Sequence, residues 1–187
     1  MKKRTLISSV CLLIFAIMLI SVGCGNETQI SNRQLIGKWA YIHDKETSVL
    51  ELSGNGEASY KGIRYTFADD GSFLTLSLNG KEEMKLRYEL VKDDLYLYEP
   101  TTYVYSGEEE QNGLVGIWKV SDVNWTLEFL DNGEFKEDGY FPGHYEVDEA
   151  NHTFKLMYND HFEDTTCYYE IVGNELKVEY PWRMVKM

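Results

Sequence analysis

Cysteine is scarce in this chain, with three in 187 residues: Cys11, Cys24 and Cys167. Cys11 and Cys24 belong to the N-terminal segment, read below as an export signal and the residue modified at its end. Cys167 is thus left without a partner for an internal disulfide, and the fold is expected to stand without covalent staples. Cys167 lies on the apolar side of the alternating stretch Thr165, Cys167, Tyr169, Ile171, where a buried structural thiol is the ordinary outcome. Basic residues are also few, 18 Lys plus Arg against 31 Asp plus Glu, for a net charge of −13. Such a surface repels phosphate backbones and argues against nucleic acid as a partner. The four histidines, His43, His144, His152 and His161, are not spaced as a metal pair on one strand face, and no Cys/His cluster accompanies them. Asp160-His161-Phe162-Glu163-Asp164 gathers candidate ligands but reads more simply as a solvated turn. Asp131-Asn132-Gly133-Glu134 lacks the spacing of a calcium loop. Phosphate loops, nucleophile elbows and zinc-protease helices are missing too, so neither a metal nor a cofactor is implied.

The N-terminus is the exception to this polarity. Lys2, Lys3 and Arg4 form a cationic head, and Leu6 to Val22 is an apolar run broken only by Ser8, Ser9 and Ser21. The chain turns polar directly after Gly23-Cys24. A basic head, an apolar stretch and a small residue before a break describe an export signal helix over residues 1–23. The positive head stays cytoplasmic, so the rest is sent outside. Ser21-Val22-Gly23-Cys24 resembles a lipobox, with Ser21 where leucine is commonest. That resemblance implies a diacylglyceryl group on the Cys24 thiol, cleavage before Cys24, and a chain tethered to the outer face of a bacterial cell membrane. An uncleaved membrane-spanning anchor is the other reading, since the run is nearly long enough to cross a bilayer. Loss of residues 1–23 removes three basic groups, leaving 15 against 31 and a charge of −16. This charge would hold the protein off anionic headgroups, so the lipid is what keeps it at the membrane.

The remainder is a tandem duplication. Leu35-Ile36-Gly37-Lys38-Trp39 returns as Leu114-Val115-Gly116-Ile117-Trp118, and Leu50 to Glu57 returns as Leu127 to Glu134. Tyr65-Thr66-Phe67 aligns with Tyr145-Glu146-Val147, and Leu74, Leu76 and Leu78 with Phe154, Leu156 and Tyr158. Tyr88-Glu89-Leu90-Val91 answers Tyr169-Glu170-Ile171-Val172, and Pro100 answers Pro181. The expected organisation is a linker at 24–34, a first domain at 35–105, an acidic linker at 106–113 and a second domain at 114–187. Each copy alternates apolar and polar residues, as in Leu74/Leu76/Leu78 or Leu176/Val178/Tyr180. Period two predicts half-buried strands, and Asn55-Gly56, Asn79-Gly80 and Asn132-Gly133 supply hairpin turns between them. The prediction is all-β: two antiparallel meanders of about seven or eight short strands each.

The repeated Gly-x-Trp, at Gly37-Lys38-Trp39 and Gly116-Ile117-Trp118, followed by acidic or Asn-Gly hairpins, resembles the lipocalin-like β-domains of Gram-positive lipoproteins. The resemblance spans residues 35–187 and implies two small barrel-like domains at the cell surface. It also implies that the early tryptophan packs at the closed end of its barrel beneath an arginine of the last strand. For Trp118 that arginine would be Arg183, whereas the first copy has Thr102 at the corresponding position.

Three function classes follow. The first is a non-catalytic binding module whose partner is an envelope protein or a glycan, with duplication giving avidity. The second is a carrier of a small apolar ligand, which large inward side chains in so small a barrel disfavour. The third is a surface enzyme with a cryptic site. Tyr96, Tyr98 and Tyr168 fall out of phase with the apolar faces. They are either exposed for stacking on a ligand or turned toward the other copy.

Overall fold

A computed structural model describes residues 32–108, 111–160 and 162–187. The signal segment, Cys24 and part of the 106–113 linker lie outside these residues. After a 3-10 turn at Arg33–Leu35, the first copy forms β1 (Gly37–Tyr41), β2 (Leu50–Leu52), β3 (Glu57–Tyr60), β4 (Ile63–Asp69), β5 (Phe73–Leu78), β6 (Lys81–Val91) and β7 (Asp94–Tyr105). The second forms β8 (Gly116–Val120), β9 (Thr126–Phe129), β10 (Glu134–Glu137), β11 (Phe141–Asp148), β12 (Thr153–Tyr158), β13 (Thr165–Val172) and β14 (Glu175–Lys186). Among the described residues no helix is long and apolar enough to cross a membrane.

The strands are antiparallel neighbours in chain order, and β1 pairs β14 to close the ring. Local chemistry sets the hairpins. Asn79 and Gly80 both take positive φ (52° and 78°) between the paired residues Leu78 and Lys81, the geometry that matches strand twist in a two-residue turn. Pairing also corrects one detail of the repeat. Phe67 lies opposite Leu76 and Tyr145 opposite Leu156, so Phe67, not Tyr65, is the counterpart of Tyr145. A slip of two residues keeps the same face inward, which is why the sequence pattern conceals it.

The copies are not two separate domains. β7 and β14 pair with one another over their whole length, from Asp94↔Val185 to Val104↔Glu175, and this ribbon divides the ring into two lobes. The start of β7 pairs with β6 and its end with β8. Likewise the start of β14 pairs with β13 and its end with β1. Each copy therefore lends the second half of its last strand to the other. Met184 is buried in the first core, beside Trp39, Leu50 and Leu97, while Tyr103 is buried in the second, beside Trp118, Phe129 and Phe154. Tyr103 and Met184 are counterparts in the repeat. Pro100 and Pro181 occupy the stretches where each ribbon strand has left one outer neighbour and not yet met the next, so each strand tolerates a residue without an N–H.

Strand exchange also explains the Gly-x-Trp repeat. Trp39 and Trp118 are 1% and 0% exposed, and each indole N–H donates to the carbonyl four residues earlier, Leu35 at 2.8 Å and Leu114 at 2.7 Å. The residue over each ring comes from the exchanged strand end. The Lys186 ammonium lies 5.1 Å from the Trp39 ring, and Tyr105 packs edge-on to Trp118 at 5.3 Å. Each motif glycine clears a path for that cover: a Cβ on Gly37 would meet Lys186 at 2.6 Å, and one on Gly116 would meet Tyr105 at 2.5 Å. Arg183 does not cover Trp118. It lies at the first-lobe end of β14 and binds Asp94, with Nε at 3.0 Å and Nη2 at 2.8 Å. The expected contact fails because it assumed that each copy closes on its own last strand.

Candidate functional site: the cleft between the lobes

Where β6 of the first copy meets β13 of the second, an open cleft of about 630 Å³ is lined by Arg87, His152, Tyr168, Tyr169, Glu170 and Glu179, among others. Its floor is the outer face of the ribbon. The Arg87 guanidinium is sandwiched between one ring from each copy, 4.6 Å from Phe73 and 3.8 Å from Tyr168. Its Nε stands 3.5 Å from a Glu179 oxygen, an ion pair in which these two solvent-inaccessible atoms make no hydrogen bond. Lys177 holds the other Glu179 oxygen at 3.3 Å.

The out-of-phase tyrosines thus face the other copy. Tyr98 is buried edge-on to Tyr168 at 5.3 Å, and its hydroxyl donates to Glu89 at 3.0 Å. Burial, then the Glu89 charge, pushes the Tyr98 phenol well above the ordinary range. Tyr96 pairs with Arg183 on the same outer face.

The duplication is an internal comparison at this site. Arg87 and Tyr168 are counterparts, as are Tyr98 and Glu179, so the Arg87–Glu179 ion pair and the Tyr98–Tyr168 aromatic pair occupy the same positions in opposite copies. Phe73 lies opposite Arg87 on the neighbouring strand, and Thr153 lies opposite Tyr168 in the same way. In the first copy the Phe73 ring covers the guanidinium. In the second, Thr153 brings no ring, and the cleft opens beside His152. No sequence pattern marks this cleft, because Arg87 of the first copy completes a lining that otherwise belongs to the second.

A second polar cluster lies on the inner face of the ribbon, between the two cores. Glu99 accepts hydrogen bonds from the Tyr41 hydroxyl at 2.6 Å and from Lys61 at 2.7 Å. Tyr60 sits beside it, its phenol pushed up by burial and then by the Glu99 charge. Opposite Glu99 on the ladder is Tyr180, whose hydroxyl meets that of Tyr103 at 2.8 Å. In the second lobe Glu137 accepts from Tyr158 and from the Trp125 indole. Glu99 and Tyr60 correspond to Tyr180 and Glu137, so acid and phenol have changed places between the copies.

Cys167 is 0% exposed, and burial pushes its thiol far above the ordinary range. Among the described residues no group of three or more His, Cys, Asp and Glu side chains could hold a metal. His152 lies in the cleft 6.4 Å from the Tyr169 ring, His43 stacks on Tyr41 at 5.5 Å, and His144 is exposed on β11. Comparison of the chain with family models, with curated proteins and with solved structures finds no match.

Proposed function

We propose that this protein is a non-catalytic binding module, lipid-anchored through Cys24 on the outer face of the cell membrane, whose envelope protein or glycan partner docks in the cleft between the lobes. The observation that carries the reading is the open cleft beside Tyr168, opposite which Thr153 brings no ring of the kind that Phe73 sets over Arg87. Its volume of about 630 Å³ falls within the range of ligand sites, and the Tyr168 and Tyr169 rings stand in it among mostly charged and polar side chains, a lining suited to a polar partner. Against the carrier reading, Trp, Phe and Leu side chains fill each lobe. Against catalysis, Glu179 is committed to Arg87 and Lys177, and among the described residues no hydrogen bond joins His152 to a carboxylate.

The test is capture of envelope glycans and proteins by immobilised residues 25–187, alongside Thr153→Phe. That substitution puts the first copy's ring opposite Tyr168 at the edge of the cleft and should weaken capture. Undiminished capture by Thr153→Phe would show that the cleft is not the site.

A further inference from the structure

The mouth of the first lobe carries an aromatic group that extends from the edge of the first core, against which Tyr41 packs, out to the surface. Tyr41 at the end of β1, His43 just beyond it and Trp182 on β14 pack together. Tyr41 and His43 stack with planes 5° apart, and Trp182 is tilted against both at 5.6 and 6.3 Å. Trp182 remains 42% exposed. The second copy shows what these positions need structurally: Val120 stands where Tyr41 is, and Thr101 where Trp182 is, and that lobe closes without either ring. Trp182 is exposed as a member of a three-ring cluster and not as a lone surface side chain, and contiguous exposed apolar surface marks an interaction site.

The surroundings define the chemistry. The Tyr41 hydroxyl is fixed by Glu99, which is largely buried and holds Lys61 with its other oxygen, so an oriented hydroxyl and a half-exposed ammonium sit at the edge of the rings. Both are special to this copy: Glu99 is answered by Tyr180, and Lys61 by Asp138 at the same positive-φ turn position. A flat aromatic surface bordered by oriented donors and acceptors matches a pyranose, whose C–H face lies on the ring while its hydroxyls reach the rim. The net charge of −13 favours an uncharged sugar over an anionic one. We infer that the Tyr41–His43–Trp182 group is a binding platform for neutral, equatorially substituted pyranose chains. It lies on the opposite face of the ribbon from the cleft, and neither site depends on the other.

Titration of the full chain with chitotetraose and cellotetraose should quench and blue-shift tryptophan emission and move the Trp182 indole resonance. Sialyllactose, which is anionic, should do so far less. Trp182→Thr and Tyr41→Val install the second copy's residues and should each weaken binding by about tenfold or more, with the melting transition kept. Thr153→Phe should leave the sugar response unchanged. The inference is overturned if neither neutral oligosaccharide moves the Trp182 resonance, if both platform variants bind like the parent, or if Thr153→Phe abolishes the response, which would place the sugar in the cleft.

Discussion

Glu99 and Tyr180 lie directly opposite one another on the β7–β14 ladder, and each holds in its own copy the position that the other holds in its copy. A pseudo-twofold axis therefore passes between them. Contacts across it come in related pairs, as in an isologous dimer interface: Tyr103 and Met184 exchange cores, and Tyr105 and Lys186 exchange tryptophans. The chain has the internal geometry of a strand-exchanged dimer joined by the 106–113 linker.

Exchange makes a sharp prediction about which lobe a mutation weakens. Met184→Ala removes a side chain buried in the first core, at a cost of about 2–5 kcal/mol, although residue 184 belongs to the second copy. Hydrogen exchange should show lost protection in β1–β6. Loss confined to β8–β13 would refute the shared ribbon.

The motif glycines should resist even the smallest side chain. At Gly116 the backbone φ is +126°, and a Cβ would lie 2.5 Å from the Tyr105 ring. Gly116→Ala should lower the urea midpoint by more than about 1 kcal/mol equivalent, through strain and displacement of the cover over Trp118. A neutral effect would show that the close approach can relax without penalty.

Stacking, more than charge, should dominate at Arg87. Its planar guanidinium lies between two rings, a geometry that an ammonium does not reproduce. Arg87→Lys should lose most of what Arg87→Ala loses, roughly 0.5–2 kcal/mol. A double-mutant cycle with Tyr168→Ala measures the coupling, and additivity of the two changes would contradict the sandwich.

Alkaline pH should unfold this protein through its phenols. Burial first, and then Glu89 or Asp69, holds Tyr98 and Tyr88 well above the ordinary value of about 10. The folded state thus keeps protons that the unfolded chain releases. This stability is complete below about pH 10 and is lost as pH rises from there toward the folded values. Spectrophotometric titration should find these phenols silent until the chain unfolds; reversible ionisation near pH 10 in the folded protein would contradict their burial.

Lipidation has a direct readout. Cys24→Ala should leave an uncut precursor that takes up no fatty-acid analogue in metabolic labelling, while the parent is labelled and shortened. Equal labelling of both forms would remove the anchor from the proposal.

The sequence alone determined the local order of this protein. Alternation at Leu74/Leu76 and Leu176/Val178 requires strands with one buried face, Asn79-Gly80 requires a two-residue turn, and the recurrence of Gly-x-Trp requires two copies. These features follow from neighbours a few residues apart, so composition and spacing record them. The tertiary structure decided how the copies close. Period-two patterning says that Tyr103 and Met184 face inward, but it does not say into which core, because an exchanged strand and a retained one bury the same face. Arg183 accordingly meets Asp94 and not Trp118, and Tyr98 and Tyr168 meet each other. The cleft and the Trp182 platform are legible only there, since both arise where halves of the chain about eighty residues apart are brought together by a ribbon that neither half completes alone.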